Sequence, residues 1–275
     1  MKTGIFKLIL SVGFAVPFIF MFDGIWSVIA FAVAFLCNII AVNLLIWIFV
    51  IITALCASIN PKNKRLSRFY GTVLNFALTE ICSLARIKVK TSGTENIPDV
   101  PYLLVANHRS NFDNFIISAV LNDPFLVFIS KPSNFKIPFV GRIIKRCGYL
   151  AIDRENPRNA LKTIHASAEL VKNDGASVGV FPEGTRGHGE SMAEFSEGCF
   201  LVAKKAACPI VVICLRGTDK VKNRFPFRTT VYLDVVGVIT ADEVKEKRSG
   251  ELSGDAYAQI CGRYLSVDQL PSKTI

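Results

Sequence analysis

From Gly24 to Pro61 the chain contains no Asp, Glu, Lys, Arg or His. The apolar run Gly24–Ala57 inside that stretch is 34 residues long. As one helix it would measure about 50 Å, against a hydrocarbon core of about 30 Å. It must tilt, break or project from a bilayer. A shorter apolar run, Leu8–Phe22, precedes it and is interrupted by Pro17. Asp23-Gly24 between the two runs reads as a hairpin tip. A cleaved leader would also start with basic residues and an apolar core, but Phe20-Met21-Phe22-Asp23-Gly24 offers no small-x-small site. Lys2 and Lys7 lie before the apolar assembly; Lys62, Lys64, Arg65 and Arg68 lie after it. The excess of positive charge on cytoplasmic flanks then places both ends in the cytoplasm. That requires either two crossings or a re-entrant pair, and the sequence does not separate them. Residues 1–61 are therefore expected to form a membrane anchor of two helices, with the rest of the chain on the cytoplasmic side.

Of the 32 Lys and Arg, 30 follow Pro61, as do 21 of the 22 acids, so the remainder carries a net charge of +9. A basic domain beside a membrane anchor points to anionic headgroups or phosphorylated substrates. Nucleic acid is not expected, because no zinc-finger, helix-turn-helix or RNP-like pattern accompanies the charge. The eight cysteines contain no Cys-x-x-Cys pair and lie in apolar contexts, which reads as buried thiols in a reducing compartment. Residues 62–84 read as an amphipathic connecting helix, with Phe69, Leu74, Phe76, Ile81 and Leu84 near helical spacing. Such a helix suits either the membrane interface or an ordinary core face.

From residue 85 to residue 275 short apolar runs alternate with helical patterns. Strands are predicted at 87–90, 102–106, 126–129, 149–152, 178–181, 210–215 and 230–238. Helices are predicted at 114–121, 139–146, 157–173, 195–206 and 241–265. Continuous apolar strands separated by helices specify an α/β domain with a mixed, mostly parallel sheet covered by helices.

The chemistry concentrates in Asn107-His108-Arg109-Ser110-Asn111-Phe112-Asp113, directly after the strand 102–106. Open α/β sheets place ligands at the C-terminal edge of their strands. On one straight helix, five residues turn about 500°, and His108 and Asp113 would point apart. With a turn between them and the helix starting nearer Asp113, the carboxylate reaches one ring nitrogen and leaves the other to take a proton. Alone, the pair also fits a helix cap. Three further stretches follow in order: Lys131–Pro138 with Gly141 and Gly148–Arg154, then Phe181-Pro182-Glu183-Gly184-Thr185-Arg186, then Cys208-Pro209-Ile210-Val211-Val212.

Together with Asn-His-x-Ser-x-x-Asp, these stretches resemble the four motifs of the glycerolipid acyltransferases, over about residues 85–240. The resemblance implies acyl transfer from acyl-CoA or acyl-carrier protein to the free hydroxyl of 1-acylglycerol 3-phosphate, making phosphatidic acid, with another lysophospholipid, glycerol 3-phosphate, or water in a membrane-bound thioesterase as the alternatives, and with no cofactor and no metal. It implies His108 as the base and Asp113 as its orienting partner. Lys131, Arg154, Glu183, Gly184, Thr185 and Arg186 are implied as substrate-binding residues. Arg154 and Arg186 suit phosphate through their forked donors, and Glu183 is expected to orient Arg186 or a hydroxyl. One departure is visible: many members carry a lysine in a Phe-Lys-x-Gly element, where this chain has Phe195-Ser196-Glu197-Gly198.

Two other patterns carry no chemistry. His165 and His188 read as solvated residues, and no His-Glu-x-x-His pattern marks a metal site. Gly175-Ala176-Ser177-Val178-Gly179 matches the Gly-x-Ser-x-Gly of hydrolases, but a turn precedes its serine and a strand follows, the reverse of the order a nucleophile elbow needs.

Overall fold

The computed structural model describes residues 2–57, 66–187 and 192–268. Pro61, Lys62, Lys64, Arg65 and His188, named above, lie outside the described residues. The chain divides into two compact units, Met1–Cys56 and Ala57–Ile275.

In the first unit α1 (Lys2–Ala15) and a 3-10 turn (Val16–Phe20) fold back on α2 (Ile25–Cys56). Pro17 cannot donate into a helical ladder, and α1 ends just before it. The small residues Ser11, Ala15 and Ala34 are buried in this hairpin. Lys7 Nζ donates to Asn43 Oδ1 at 3.1 Å, so a lysine inside an apolar hairpin has an acceptor on the facing helix. By length and composition α2 is able to cross a membrane.

The second unit runs α3 (Arg68–Leu84), β1 (Ile87–Ser92), β2 (Leu103–Ala106), α4 (Asp113–Leu121), β3 (Leu126–Ser130), α5 (Val140–Arg146) and β4 (Leu150–Ala151). It continues through α6 (Pro157–Asp174), β5 (Ser177–Val180), α7 (Leu201–Ala206), β6 (Ile210–Arg216) and α8 (Lys220–Arg224), and ends with β7 (Thr229–Ile239), α9 (Ala241–Glu246) and α10 (Ser249–Asp268). The seven strands form one sheet in the order β1-β7-β6-β2-β5-β3-β4. Strands β2 to β6 are parallel, whereas β7 is antiparallel to β6 and β1 parallel to β7. The sheet is thus mixed and mostly parallel, as expected. Its central strands are apolar on both faces: Leu103–Ala106 and Ile210–Leu215 are fully buried. Such continuous burial needs a helical layer on each side.

Reversal of β7 is secured by a buried charge. One Asp234 oxygen accepts from Arg216 at 2.7 Å on β6 and from Arg263 at 3.1 Å on α10, and the other accepts from Ser92 at the end of β1. Burial pushes the Asp234 carboxyl up, but the bonds from Arg263, Ser92 and Arg216 outweigh it and hold the group below its ordinary value.

Three helices differ from the sequence expectation. Helix α3 buries Val73, Leu74, Ala77 and Leu78, while Phe69 and Leu84 are exposed, so its core face is rotated from the one the bulky residues suggested. It packs on α4, inside the second unit. The segment 195–206 is helical only from Glu197, first as a 3-10 turn and then as α7. The pattern over 241–265 is two helices, because Lys247 is extended and Glu251 accepts from the Arg248 N–H to start α10 afresh.

The close approach of α3 depends on Gly71. A Cβ there would lie 2.0 Å from the carbonyl oxygen of Pro124, and backbone cannot swing aside as a side chain can. Gly71→Ala is expected to destabilise the second unit by about 1–3 kcal/mol or more, the usual cost of overpacking. The shift in chemical-denaturation midpoint of the detergent-solubilised chain measures it.

Candidate active site

The parallel strands end along one edge of the sheet, and the residues singled out in the sequence leave from it. Ladder pairing between β2 and β6 stops at Ala106–Ile213. Asn107 then replaces the ladder with its side chain: Nδ2 donates to the Leu215 carbonyl at 2.9 Å, and Oδ1 accepts from the Leu215 N–H at 2.7 Å. The amide is fully buried. It fixes the chain direction one residue before His108.

From there the chain turns over Arg109–Phe112 and enters α4 at Asp113. Asp113 is fully buried, and its Oδ2 accepts three bonds: from His108 Nδ1 at 2.7 Å, Arg109 N at 2.6 Å and Ser110 N at 2.7 Å. A carboxylate at a helix N-terminus also meets the favourable end of the dipole. With Nδ1 occupied, Nε2 is the ring nitrogen left for a ligand, and the His108 side chain keeps 21% of its surface accessible. Phe181 stacks on the imidazole at 4.4 Å and 21°, and Phe128 stacks on Phe181 in turn. The ring is therefore held in plane by packing and in rotation by Asp113.

The loop after β5 clasps the same residue from the other side. Glu183 Oε1 accepts from the His108 N–H at 2.6 Å, and Gly187 N donates to the His108 carbonyl at 2.9 Å. Glu183 Oε2 accepts from Ala193 N at 3.3 Å. Glu183 thus orients the backbone of His108 rather than Arg186. Burial raises its pKa, and the N–H bonds from His108 and Ala193 pull in the opposite direction. Gly184 sits at φ 73°, a left-handed turn that costs glycine little. A Cβ there would lie 3.4 Å from Arg154 Nη1. Arg154 therefore reaches the Glu183–Arg186 turn from the end of the neighbouring strand pair. Partial burial lowers its pKa from the ordinary arginine value.

Thr185 and Arg186 are exposed in that turn, next to Gly187. Lys131 is exposed at the same edge beyond β3, and no bond joins it to the His108 loop among the described residues. The structure thus brings together His108, Asp113, Glu183, Gly184 and Arg154. Ser177 starts β5 at the opposite edge, buried, with its hydroxyl accepting from Tyr102 N, so the Gly-x-Ser-x-Gly match is no nucleophile elbow. Among the described residues no cluster of His, Cys, Asp and Glu suits a metal ion. Sequence reasoning missed Asn107 and Phe181 as supports of the imidazole. The only signal was position: an amide directly after a buried strand, and an aromatic at the end of the adjacent one.

Asn107→Ala leaves both polar groups of Leu215 buried without their partner. The expected cost is about 2–6 kcal/mol, at roughly 1–3 per orphaned group, read from denaturant midpoints.

A family model described as Acyltransferase matches residues 88–216, which span all four motifs. The 1-acyl-sn-glycerol-3-phosphate acyltransferase of Chlamydomonas reinhardtii is 43% identical over 133 residues, covering 48% of this chain but only 39% of that protein's length. The Salmonella typhimurium protein of the same name is 31% identical over 214 residues, covering 76% of this chain and 84% of that protein. Among solved structures, the 1-acyl-sn-glycerophosphate (LPA) acyltransferase of Thermotoga maritima superposes with a TM-score of 0.60 at 22% identity, covering 82% of this chain and 89% of that one. That likeness carries the α/β fold. The match along most of both chains with the Salmonella typhimurium protein carries the relationship: this chain belongs to the 1-acyl-sn-glycerol-3-phosphate acyltransferase family.

Proposed function

We propose that the chain transfers an acyl group from the thioester of acyl-CoA or acyl-carrier protein to the free hydroxyl of 1-acylglycerol 3-phosphate, making phosphatidic acid. The observation that carries this reading is the His108–Asp113 pair, oriented through Nδ1 at the edge of the sheet. His108 Nε2 takes the hydroxyl proton as the oxygen attacks the thioester carbonyl. The tetrahedral intermediate collapses, the C–S bond breaks, and the thiolate leaves with the proton from the imidazolium. No covalent acyl-enzyme is needed. Asp113 holds the tautomer and supports the imidazolium. Glu183, Gly184 and Thr185 keep the turn that grips His108, while Arg154 and Arg186 meet the acceptor phosphate. Lys131, farther along the edge, is assigned to the donor's phosphates. The unit Met1–Cys56 is assigned as the membrane anchor with the domain on the cytoplasmic side, which keeps a lipid acceptor and product in the bilayer.

The test is release of CoA from labelled acyl-CoA, with and without lysophosphatidic acid. Release that needs the acceptor and yields labelled phosphatidic acid supports transfer; equal release without it makes the chain a thioesterase. His108→Ala is expected to abolish transfer, and Asp113→Asn to lower it by about 10²–10⁴-fold, the scale of a misoriented base. Lysolipid binding should survive both changes, and near wild-type turnover in His108→Ala would contradict the mechanism.

Charge-assisted bonds to a phosphate contribute about 1.5–3 kcal/mol each. Arg186→Ala is therefore expected to raise the KM for lysophosphatidic acid by roughly 10- to 100-fold, with the thioester KM nearly unchanged. Arg186→Lys recovers only part, since a point charge lacks the fork. If only the thioester KM moves, the arginine belongs to the donor.

A further inference from the structure

From the start of α8 to β7 the chain reads Lys220-Val221-Lys222-Asn223-Arg224-Phe225-Pro226-Phe227-Arg228, with four basic residues and no acid. The loop is held at both ends: Val221 and Thr229 are buried, Phe227 N donates to Arg224 O at 2.7 Å, and Thr229 N donates to Arg86 O at 3.2 Å. Its tip is nevertheless apolar and open. Phe225 is 61% exposed and Phe227 73% exposed, with Lys222, Arg224 and Arg228 exposed around them. Neither the proposed transfer chemistry nor the core uses these phenylalanines.

Register fixes where the loop lies. Asn107 bonds to Leu215 on β6, and Arg216 on β6 pairs with Tyr232 on β7. The loop precedes Thr229 and so emerges from the same sheet edge as His108, two strands from β2, about 10 Å at the usual strand spacing. Two strands from β2 on the other flank, the segment after β3 exposes Ile137, Phe139 and Val140 beside Lys136 and Arg142. There Phe139 occupies the centre of a γ-turn, at φ 61° and ψ −53°, closed by Val140 N donating to Pro138 O at 2.6 Å. His108 thus lies between two ledges, each apolar at its tip and basic at its rim. Aromatic residues partition to the bilayer interface, and lysine and arginine are drawn to anionic headgroups.

We propose that the Lys220–Arg228 segment, α8 and the turn after it, is a second membrane contact, carried by the catalytic domain, which inserts Phe225 and Phe227 into an anionic lipid surface and lays the His108 edge against it. The proposal rests on the reading of a lipid acceptor, which would then reach His108 without leaving the bilayer.

The test uses the full chain with Trp26→Phe and Trp47→Phe, its only tryptophans, and Phe227→Trp as the probe. It is mixed with phosphatidylcholine vesicles, with and without phosphatidylglycerol, containing brominated lipids. Flotation reports the anchor and tryptophan emission reports the loop, so the two can fail separately. The expected result is a blue-shifted, quenched emission in the anionic vesicles. The shift should weaken between 0.01 M and 1 M salt, where the screening length falls from about 30 Å to about 3 Å. The triple change Lys222→Glu, Arg224→Glu and Arg228→Glu should remove it. In parallel, Phe225→Ser with Phe227→Ser should lower transfer to lysophosphatidic acid in anionic vesicles by about tenfold, with little change in detergent micelles. Solvent-type emission in both vesicles, or equal loss of transfer in vesicles and micelles, overturns the proposal. A shift without lipid that grows with protein concentration also overturns it, in favour of a second copy of the chain.

Discussion

One carboxylate oxygen organises the catalytic edge. Asp113 Oδ2 sits buried at the first residue of α4 and accepts from an imidazole and two successive backbone amides. It ties the turn over Arg109–Phe112 to the angle of the His108 ring. Bonds to a charged acceptor in a low-dielectric site are stronger than their neutral counterparts, and leaving such a group unpaired costs more than the bonds give. The arrangement therefore locks as a whole. Asn107 anchors the strand end on β6, and the turn after β5 grips both backbone groups of His108. A histidine on a surface loop becomes a fixed group whose Nε2 is left for a ligand.

Most of the fold was legible because its signals are local. Every predicted strand coincides with an observed one to within a few residues, since continuous apolar runs between turn residues identify buried parallel strands. The dyad was legible because strand, polar turn and helix follow one another in the sequence. The reversed direction of β1 and β7 was not, because it depends on partners far apart in the chain, such as Asp234 with Arg216 and Arg263. The face of α3 was misjudged for a related reason: size suggested Phe69 and Leu84, but contact with Pro124 requires the side of Gly71. Glu183 shows the same limit. Its acidic character among basic residues pointed to Arg186, whereas its partners are backbone N–H groups of His108 and Ala193, which no sequence pattern advertises.

Charge and apolar surface together fit a chemistry carried out at a bilayer. A helix long and apolar enough to cross a membrane accompanies a domain of net positive charge. On the proposed reading, basic residues placed at a sheet edge would serve two ends: those near Gly184 a single phosphate, and those on the flanking loops a field of headgroups. The first demands forked, partly desolvated arginine, as at Arg154. The second requires only exposed cations beside aromatic side chains.

On the proposed mechanism, Asp113 fixes His108 in the tautomer that leaves Nε2 as a proton acceptor. The chain contains three histidines, so selective ¹⁵N labelling of histidine in detergent-solubilised protein gives few enough signals to assign by substitution. Neutral His108 is expected to carry its proton on Nδ1, with Nε2 showing the shift of an unprotonated nitrogen, and Asp113→Asn is expected to move both signals. Protonation of His108 at Nε2, unchanged by Asp113→Asn, would contradict the mechanism.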